Sequence, residues 1–360
     1  MNKLDQMRAQ VRSIDREIIK LIAERNKTTR LIGEHKKKSG IPLRNWEVEK
    51  QVIDNAQTIA KNYNLSTTMI RSVMQQLIAD SRVQQEKMHY SVSLGKKEKF
   101  LIIGGKGQMG KWFGDFLSNQ GQDVVVFDKK SGSSDFPVCK ELRPGLEGVN
   151  YTVIATPLNS IPDVLAELSE IKPAGTIFDI ASLKGFLKPA LDHARRQGLS
   201  VTSIHPMFGP NARTLSDKVI CLCDCGDEIA NRRVHKLFLN TAASIVELSL
   251  EEHDRLISYV LGLSHFINIF FMSVLRRSGQ SYRRFQQVAS TTFLNQMKTA
   301  ASVIDEKPDL YYTIQKLNPY GEELYQCMEQ VLQKLIYVVR EGKQDDFIEI
   351  MKRSREWLKP

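Results

Sequence analysis

Phe100-Leu-Ile-Ile-Gly-Gly-Lys-Gly-Gln-Met-Gly110 decides how this chain folds. Four apolar residues make a short buried strand, and Gly105, Gly107 and Gly110 follow in GxGxxG spacing. A helical pattern then begins with Trp112, Phe113, Phe116 and Leu117. Strand, glycine turn and helix in that order form a phosphate cradle. The glycines allow the tight turn and the approach of a pyrophosphate, and free N–H groups and the dipole at the helix N-terminus favour an anion. Gln108 and Met109 lie within the turn and join the candidate cofactor-binding set. The next apolar run, Val124–Phe127, ends in Asp128, 18 residues beyond Gly110. A carboxylate there accepts hydrogen bonds from a ribose 2′-hydroxyl and repels a 2′-phosphate. NAD is the expected cofactor, although Lys129 and Lys130 leave NADP open.

Outward from this loop, short β-rich runs recur at Tyr151–Ala155, Thr176–Ile180, Val201–Ile204, Val219–Cys223 and Ser244–Leu248. Helical patterns or loops separate them, which predicts a parallel α/β sheet. From about Glu251 the strands stop and long helical stretches run to Pro360. Upstream, apolar residues at Leu4, Met7, Val11, Ile14, Ile18, Leu21, Ile22 and Ile32 keep helical spacing until Gly40 and Pro42. A second helix is expected over about Glu47–Asn62, and a third, capped by Ser66, carries the stripe Met69, Ile70, Val73, Met74, Leu77, Ile78. The fold class is α/β with all-α flanks: a three-helix domain at 1–90, a linker at 91–98, a Rossmann-type domain at 99–248 and a helical domain at 249–360. Ninety residues cannot wrap a first helix roughly 50 Å long, so two chains are expected to bury these helices against each other as a homodimer.

Composition narrows the classes. With 42% hydrophobic and 26% charged residues, the chain is neither disordered nor collagen-like. No apolar run reaches the ~18 residues of a membrane helix, and the N-terminus opens on an amphipathic pattern rather than a signal peptide. Five scattered cysteines suit a reducing compartment, so a cytoplasmic protein is expected. The net charge of +10 is uneven: residues 1–92 carry 17 Lys/Arg against 10 Asp/Glu. Nucleic acid, an acidic surface or a small polyanion could answer such a basic module. Lys36-Lys37-Lys38 reads as one lysine facing a pocket and two solvated, so no nucleic-acid partner is expected. Cys221-x-Cys223-x-Cys225 alternates as a core strand rather than as a metal knuckle, so no metal is expected.

Ile204-His205-Pro206-Met207-Phe208-Gly209-Pro210 follows a strand of the same sheet, where strand ends border a cofactor crevice. An imidazole there is placed to take a proton near neutral pH. Asp179-Ile-Ala-Ser182-Leu-Lys184 sets a hydroxyl and an ammonium at another strand end. Together with GGxGxMG, Ala155-Thr156-Pro157, Glu252-His253-Asp254 and Ser264-His265, these runs resemble the prephenate dehydrogenase family across about 99–360. The N-terminal helices resemble the all-helical chorismate mutases. The fused pair resembles the bifunctional enzymes of tyrosine biosynthesis.

The resemblance implies that prephenate and NAD give 4-hydroxyphenylpyruvate, CO2 and NADH. It implies that His205 accepts the hydrogen bond of the substrate's ring hydroxyl as hydride leaves the same carbon. Ser182 would orient that histidine and the nicotinamide, and Thr156 and Pro157 would contact the cofactor. His253, Ser264 and His265 would face the cleft in substrate or supporting roles. Leu294 stands where the family places an arginine on a substrate carboxylate, with Arg283, Arg284 and Lys298 as nearby cations. Arogenate therefore remains an alternative substrate.

Arg25 interrupts the heptad series Leu4, Val11, Ile18, Ile32 with a permanent cation that needs an anionic partner. Lys36 shares its face, and Ser81 and Gln85 extend the stripe of the third helix with hydrogen-bonding groups. The set suggests a pocket for a small dianion, against the plainer reading of an Arg25–Glu49 pair. Arg8 is roughly 25 Å from Arg25 along one helix, but an antiparallel partner helix brings the two together. By resemblance, Arg25 and the partner's Arg8 hold chorismate's carboxylates, and Ser81 assists. Lys36 and Gln85 donate to the ether oxygen, and Glu49 binds the ring hydroxyl. The family's arginine before this glutamate is Val48 here, and an acid often seen earlier is Asn45. A weakened mutase, or a helical module that only binds and regulates, is the alternative.

Overall fold

The computed structural model describes residues 2–39, 46–89, 97–239 and 241–359. The expected helix end at Gly40 and Pro42, the position of Asn45 and most of the 91–98 linker lie outside the described residues. Two compact units result: residues 1–182 with 189–249, and residues 183–188 with 250–360.

The first unit opens with three helices, α1 (Lys3–Lys38), α2 (Trp46–Asn62) and α3 (Thr67–His89). Ser66 Oγ accepts the Met69 N–H at 3.3 Å and caps α3 as its sequence suggests. Helix α1 has far more apolar surface than its neighbours cover. Leu4, Met7, Val11, Ile14, Ile18 and Leu21 are each at least half exposed in the single chain.

Seven strands follow: β1 (Lys99–Ile103), β2 (Asp123–Phe127), β3 (Tyr151–Ile154), β4 (Thr176–Asp179), β5 (Ser200–Pro206), β6 (Val219–Asp224) and β7 (Ser244–Ser249). They match the seven β-rich runs of the sequence and form one sheet in the order β2-β1-β3-β4-β5-β6-β7. Between them lie α4 (Gln108–Asn119), the single turn α5 (Leu142–Gly145), α6 (Ile161–Ile171), α7 (Lys188–Arg196) and α8 (Glu228–Lys236). Phe100, Ile102, Phe113, Leu117, Val126, Val153, Phe178 and Phe238 form the heart of the core.

The sheet departs from the all-parallel expectation at one place. β1 to β5 run parallel, whereas β6 is antiparallel to β5. A parallel return needs a crossover of a dozen or more residues, usually helical. The segment after Pro206 holds one glycine, one proline and no helix before Val219, so the chain turns back directly. Cys221 and Cys223 are buried on β6, and Cys225 is buried just beyond it.

The second unit contains α9 (Leu250–Ile257), a π-helical turn (Ser258–Leu263), α10 (Ser264–Arg277), α11 (Tyr282–Gln287), α12 (Thr291–Ile304), α13 (Pro308–Leu317), α14 (Gly321–Arg340) and α15 (Gln344–Trp357). Leu250–Arg277 is continuous and, by length and composition, apolar enough to cross a membrane, although no single unbroken apolar run in it reaches that length. Neighbouring helices meet some of its polar groups: Gln296 Nε2 donates to Asn268 Oδ1 at 2.9 Å and Gln315 Nε2 to the Gly262 carbonyl at 2.9 Å.

Candidate active sites

The residues expected to hold the cofactor, with Ser182 and His205, lie along the C-terminal edge of the sheet. The glycine turn follows β1, Asp128 follows β2, Thr156 and Pro157 follow β3, Ser182 follows β4, and His205 lies near the end of β5. Asp179 is in register with Ser203, which brings the chain segments leading to Ser182 and His205 onto adjacent strands. His205 is 5% exposed.

Steric limits explain the glycines. Gly104 adopts φ +85°, and a Cβ there would sit 2.7 Å from the Ala155 carbonyl oxygen. Gly110 opens onto the same turn, where a Cβ would meet the Gly104 carbonyl. Gly107 caps α4 without a side-chain hydrogen bond, leaving the first helical N–H groups for a ligand. Asp128 braces the turn: its Oδ2 accepts the Lys106 N–H and its Oδ1 the Lys130 N–H, each at 2.9 Å. Each oxygen keeps a second lone pair for a ribose hydroxyl. Thr156 Oγ1 is buried with no protein partner, an orphaned donor at the crevice. These features fit a dinucleotide.

Sequence reasoning passed over two residues here. Gly104 carries the left-handed turn, a need that GxGxxG spacing does not flag. Trp112 Nε1 donates to the Ala212 carbonyl at 2.7 Å, and its ring lies 4.9 Å from that of Phe208. This indole on α4 therefore anchors the segment that follows His205.

Of the residues expected at the mutase site, Arg25 and Lys36 lie on α1, Glu49 on α2, and Ser81 and Gln85 on α3. Arg25 donates to the Leu77 carbonyl at 2.9 Å and to Ser81 Oγ. Burial lowers its pKa, and the charge of Asp80 partly opposes that shift. The opposing acid is thus Asp80, not the Glu49 of the plainer reading. Gln85 donates to the Thr29 carbonyl at 3.0 Å, and both Ser81 and Gln85 are buried. Gly33 makes room for Gln85, since a Cβ there would stand 2.9 Å from its Cγ. Burial lowers the Lys36 pKa as well, and the charge of Glu49 raises it, placing the two in one electrostatic neighbourhood. Arg8 stays outside this cluster, exposed and 3.8 Å from Asp5. Arg82, which the sequence did not single out, stands 3.5 Å from Glu49. Val48 is half exposed on α2.

In the second unit, His253 is fully buried, with Nδ1 2.8 Å from Asp254 Oδ1. Asp254 also accepts the Lys184 N–H at 2.8 Å and the Gly185 N–H at 2.6 Å, which ties residues 183–188 to α9. His265 is buried and stacked on Tyr311 at 3.9 Å between ring centroids. Its Nδ1 has no partner, and burial pushes its pKa below the usual imidazole value. Ser264 is exposed one residue earlier. The π-helical turn before it is a distortion often found at functional sites. Leu294 is 50% exposed on α12, with Lys298 one turn further along the same helix.

A helical isomerase module joined to a dinucleotide-binding oxidoreductase is the class that these sites define. Known families agree. Chorismate mutase type II matches residues 7–86, the prephenate dehydrogenase nucleotide-binding domain matches 139–247, and the prephenate dehydrogenase dimerization domain matches 249–353. The nucleotide-binding match begins downstream of the glycine turn, so the assignment of that turn rests on its own geometry. The T-protein of Enterobacter agglomerans is 23% identical over 356 residues, covering 99% of this chain and 93% of its own. The chorismate mutase of Methanocaldococcus jannaschii is 32% identical over 87 residues, covering 24% of this chain and 88% of its own. Among solved structures, the prephenate dehydrogenase from A. aeolicus in complex with hydroxyphenyl propionate and NAD+ has a TM-score of 0.61 at 17% identity. That match covers 72% of this chain and 96% of the other. The chain belongs to the family in which a type II chorismate mutase is fused ahead of a prephenate dehydrogenase.

Proposed function

We propose that this protein rearranges chorismate to prephenate and oxidatively decarboxylates prephenate to 4-hydroxyphenylpyruvate, with NAD as oxidant, in tyrosine biosynthesis. The observation that carries the dehydrogenase half is the alignment of Gly107, Asp128, Thr156, Ser182 and His205 along one sheet edge. Gly105, Gly107, Gln108, Met109 and Gly110 would hold the pyrophosphate, Asp128 the ribose, and Thr156 and Pro157 the nicotinamide end. NAD supplies the hydride acceptor. His205 accepts the proton of the ring hydroxyl, so that the carbon bearing it becomes a carbonyl as its hydride departs. Loss of the ring carboxylate as CO2 then yields the aromatic ring. Ser182 orients the imidazole, and we assign His253, Ser264 and His265 to substrate or to its support.

In the mutase half, Arg25, Ser81 and a second subunit's Arg8 would hold the two carboxylates of chorismate, and Glu49 the ring hydroxyl. Lys36 and Gln85 would stabilise negative charge growing on the ether oxygen. Such a rearrangement needs no covalent step, since holding the reactive conformer and stabilising developing charge lower the barrier. The apolar stripe left bare on α1 and the isolation of Arg8 support a homodimer. The domain division at 90, 98 and 248, a cytoplasmic location, and the absence of nucleic-acid and membrane partners belong to the same proposal.

His205→Asn tests the chemistry. NADH formation from prephenate should fall by roughly 10²–10⁴-fold while NAD still binds. Unchanged turnover would remove His205 from its role. Leu294 motivates one alternative, arogenate, and parallel assays on both substrates decide between them.

A further inference from the structure

Arg82 projects from α3 one residue beyond Ser81, and its guanidinium bridges two acids on different domains. Nη1 lies 3.5 Å from Glu49 Oε2 on α2. Nη1 also donates to Asp217 Oδ1 at 3.1 Å, and Nη2 lies 2.6 Å from Asp217 Oδ2. The pair with Asp217 is two-pronged, the geometry that best fixes a guanidinium. The Arg82 side chain is only 14% exposed, and its Nε is buried without a hydrogen-bond partner.

Asp217 is half exposed and lies at a turn. It has φ +60° in the turn that leads into β6, and it follows Leu215 and Ser216, both buried. That turn closes the segment beginning at His205. A carboxylate on the segment that follows His205 therefore grips a side chain that reaches the Arg25, Ser81 and Gln85 cluster.

We infer that Arg82 is a positioning residue for the mutase, set by Asp217 of the dehydrogenase domain. The inference rests on the mutase reading above. Glu49 faces two cations, Lys36 and Arg82. With Arg82 fixed by Asp217, the charge of Glu49 is shared between them, and its carboxylate keeps an orientation toward a ring hydroxyl. Without Arg82, less positive charge faces Glu49, and Lys36 is drawn toward it and away from the ether oxygen it serves. The carboxylate-binding Arg25 is held separately by Leu77 and Ser81, so Arg82 does not act through it.

The test uses the full-length protein and chorismate and prephenate assays in parallel. Asp217→Asn suits it, because asparagine tolerates the left-handed backbone and only the charge is lost. The expected result is a fall of about threefold to tenfold in mutase kcat, larger than any change in the KM for chorismate, with the dehydrogenase rate unchanged. Arg82→Gln should lower kcat further, Arg82→Lys should restore part of it, and Arg82→Gln with Asp217→Asn should be no worse than Arg82→Gln alone. Unchanged mutase kcat in Asp217→Asn, losses that multiply in the double variant, or a dehydrogenase rate that falls in step would each overturn the inference. Absence of chorismate turnover in the unaltered protein would instead overturn the mutase reading itself.

Discussion

Gly33 and Gln85 show how much of the mutase site depends on single atoms. Alanine at an interior helical position is favoured over glycine by about 1 kcal/mol, so Gly33→Ala should leave α1 intact. Its methyl group would press on Gln85 Cγ at 2.9 Å and displace the amide that donates to Thr29. Chorismate turnover should then fall by roughly tenfold or more, and full turnover with normal helicity would contradict the role of Gln85. His265 makes a prediction in pH. Burial depresses its folded pKa, so the unfolded chain binds the proton more readily. Its contribution to stability is complete above about 6.5, the unfolded value, and is lost as pH falls through the folded one. The Tm of His265→Gln should decline less steeply than that of the parent between neutral and mildly acidic pH. Equal slopes would contradict a buried neutral imidazole.

At the scale of elements, α1 is where the single chain is least complete. Ile14 lies among the exposed apolar residues of its stripe. Ile14→Glu should reduce mutase turnover by about a hundredfold, because a carboxylate in a buried helix seam is strongly unfavourable. NADH formation from prephenate should persist, and mutase activity that survived would contradict a site shared across α1. The seven strands were legible because each is a short apolar run bounded by turn residues. The antiparallel course of β6 was not, since an alternating run has no direction of its own and only the crossover decides it. Ser81, Gln85 and Arg25 could be placed by helical periodicity. Arg82 could not, because its partners lie 33 and 135 positions away and only the folded chain joins them. Residues 183–188 likewise join the helical unit through Asp254, some 70 positions on.

Across the whole molecule, two sites of different chemistry share one chain, and the product of the first is the substrate of the second. The basic balance of residues 1–92 suits an active site for a dicarboxylate, and the bridge from Glu49 through Arg82 to Asp217 links that site to the dehydrogenase domain. With Leu294 on α12 where an arginine was expected, separate assays on prephenate and arogenate decide the substrate. The most direct test is to give the purified full-length protein chorismate and NAD alone and to follow NADH absorbance. Steady NADH formation without added prephenate is the predicted result, because the mutase must feed the dehydrogenase. NADH from prephenate but none from chorismate would contradict a working mutase in the N-terminal helices.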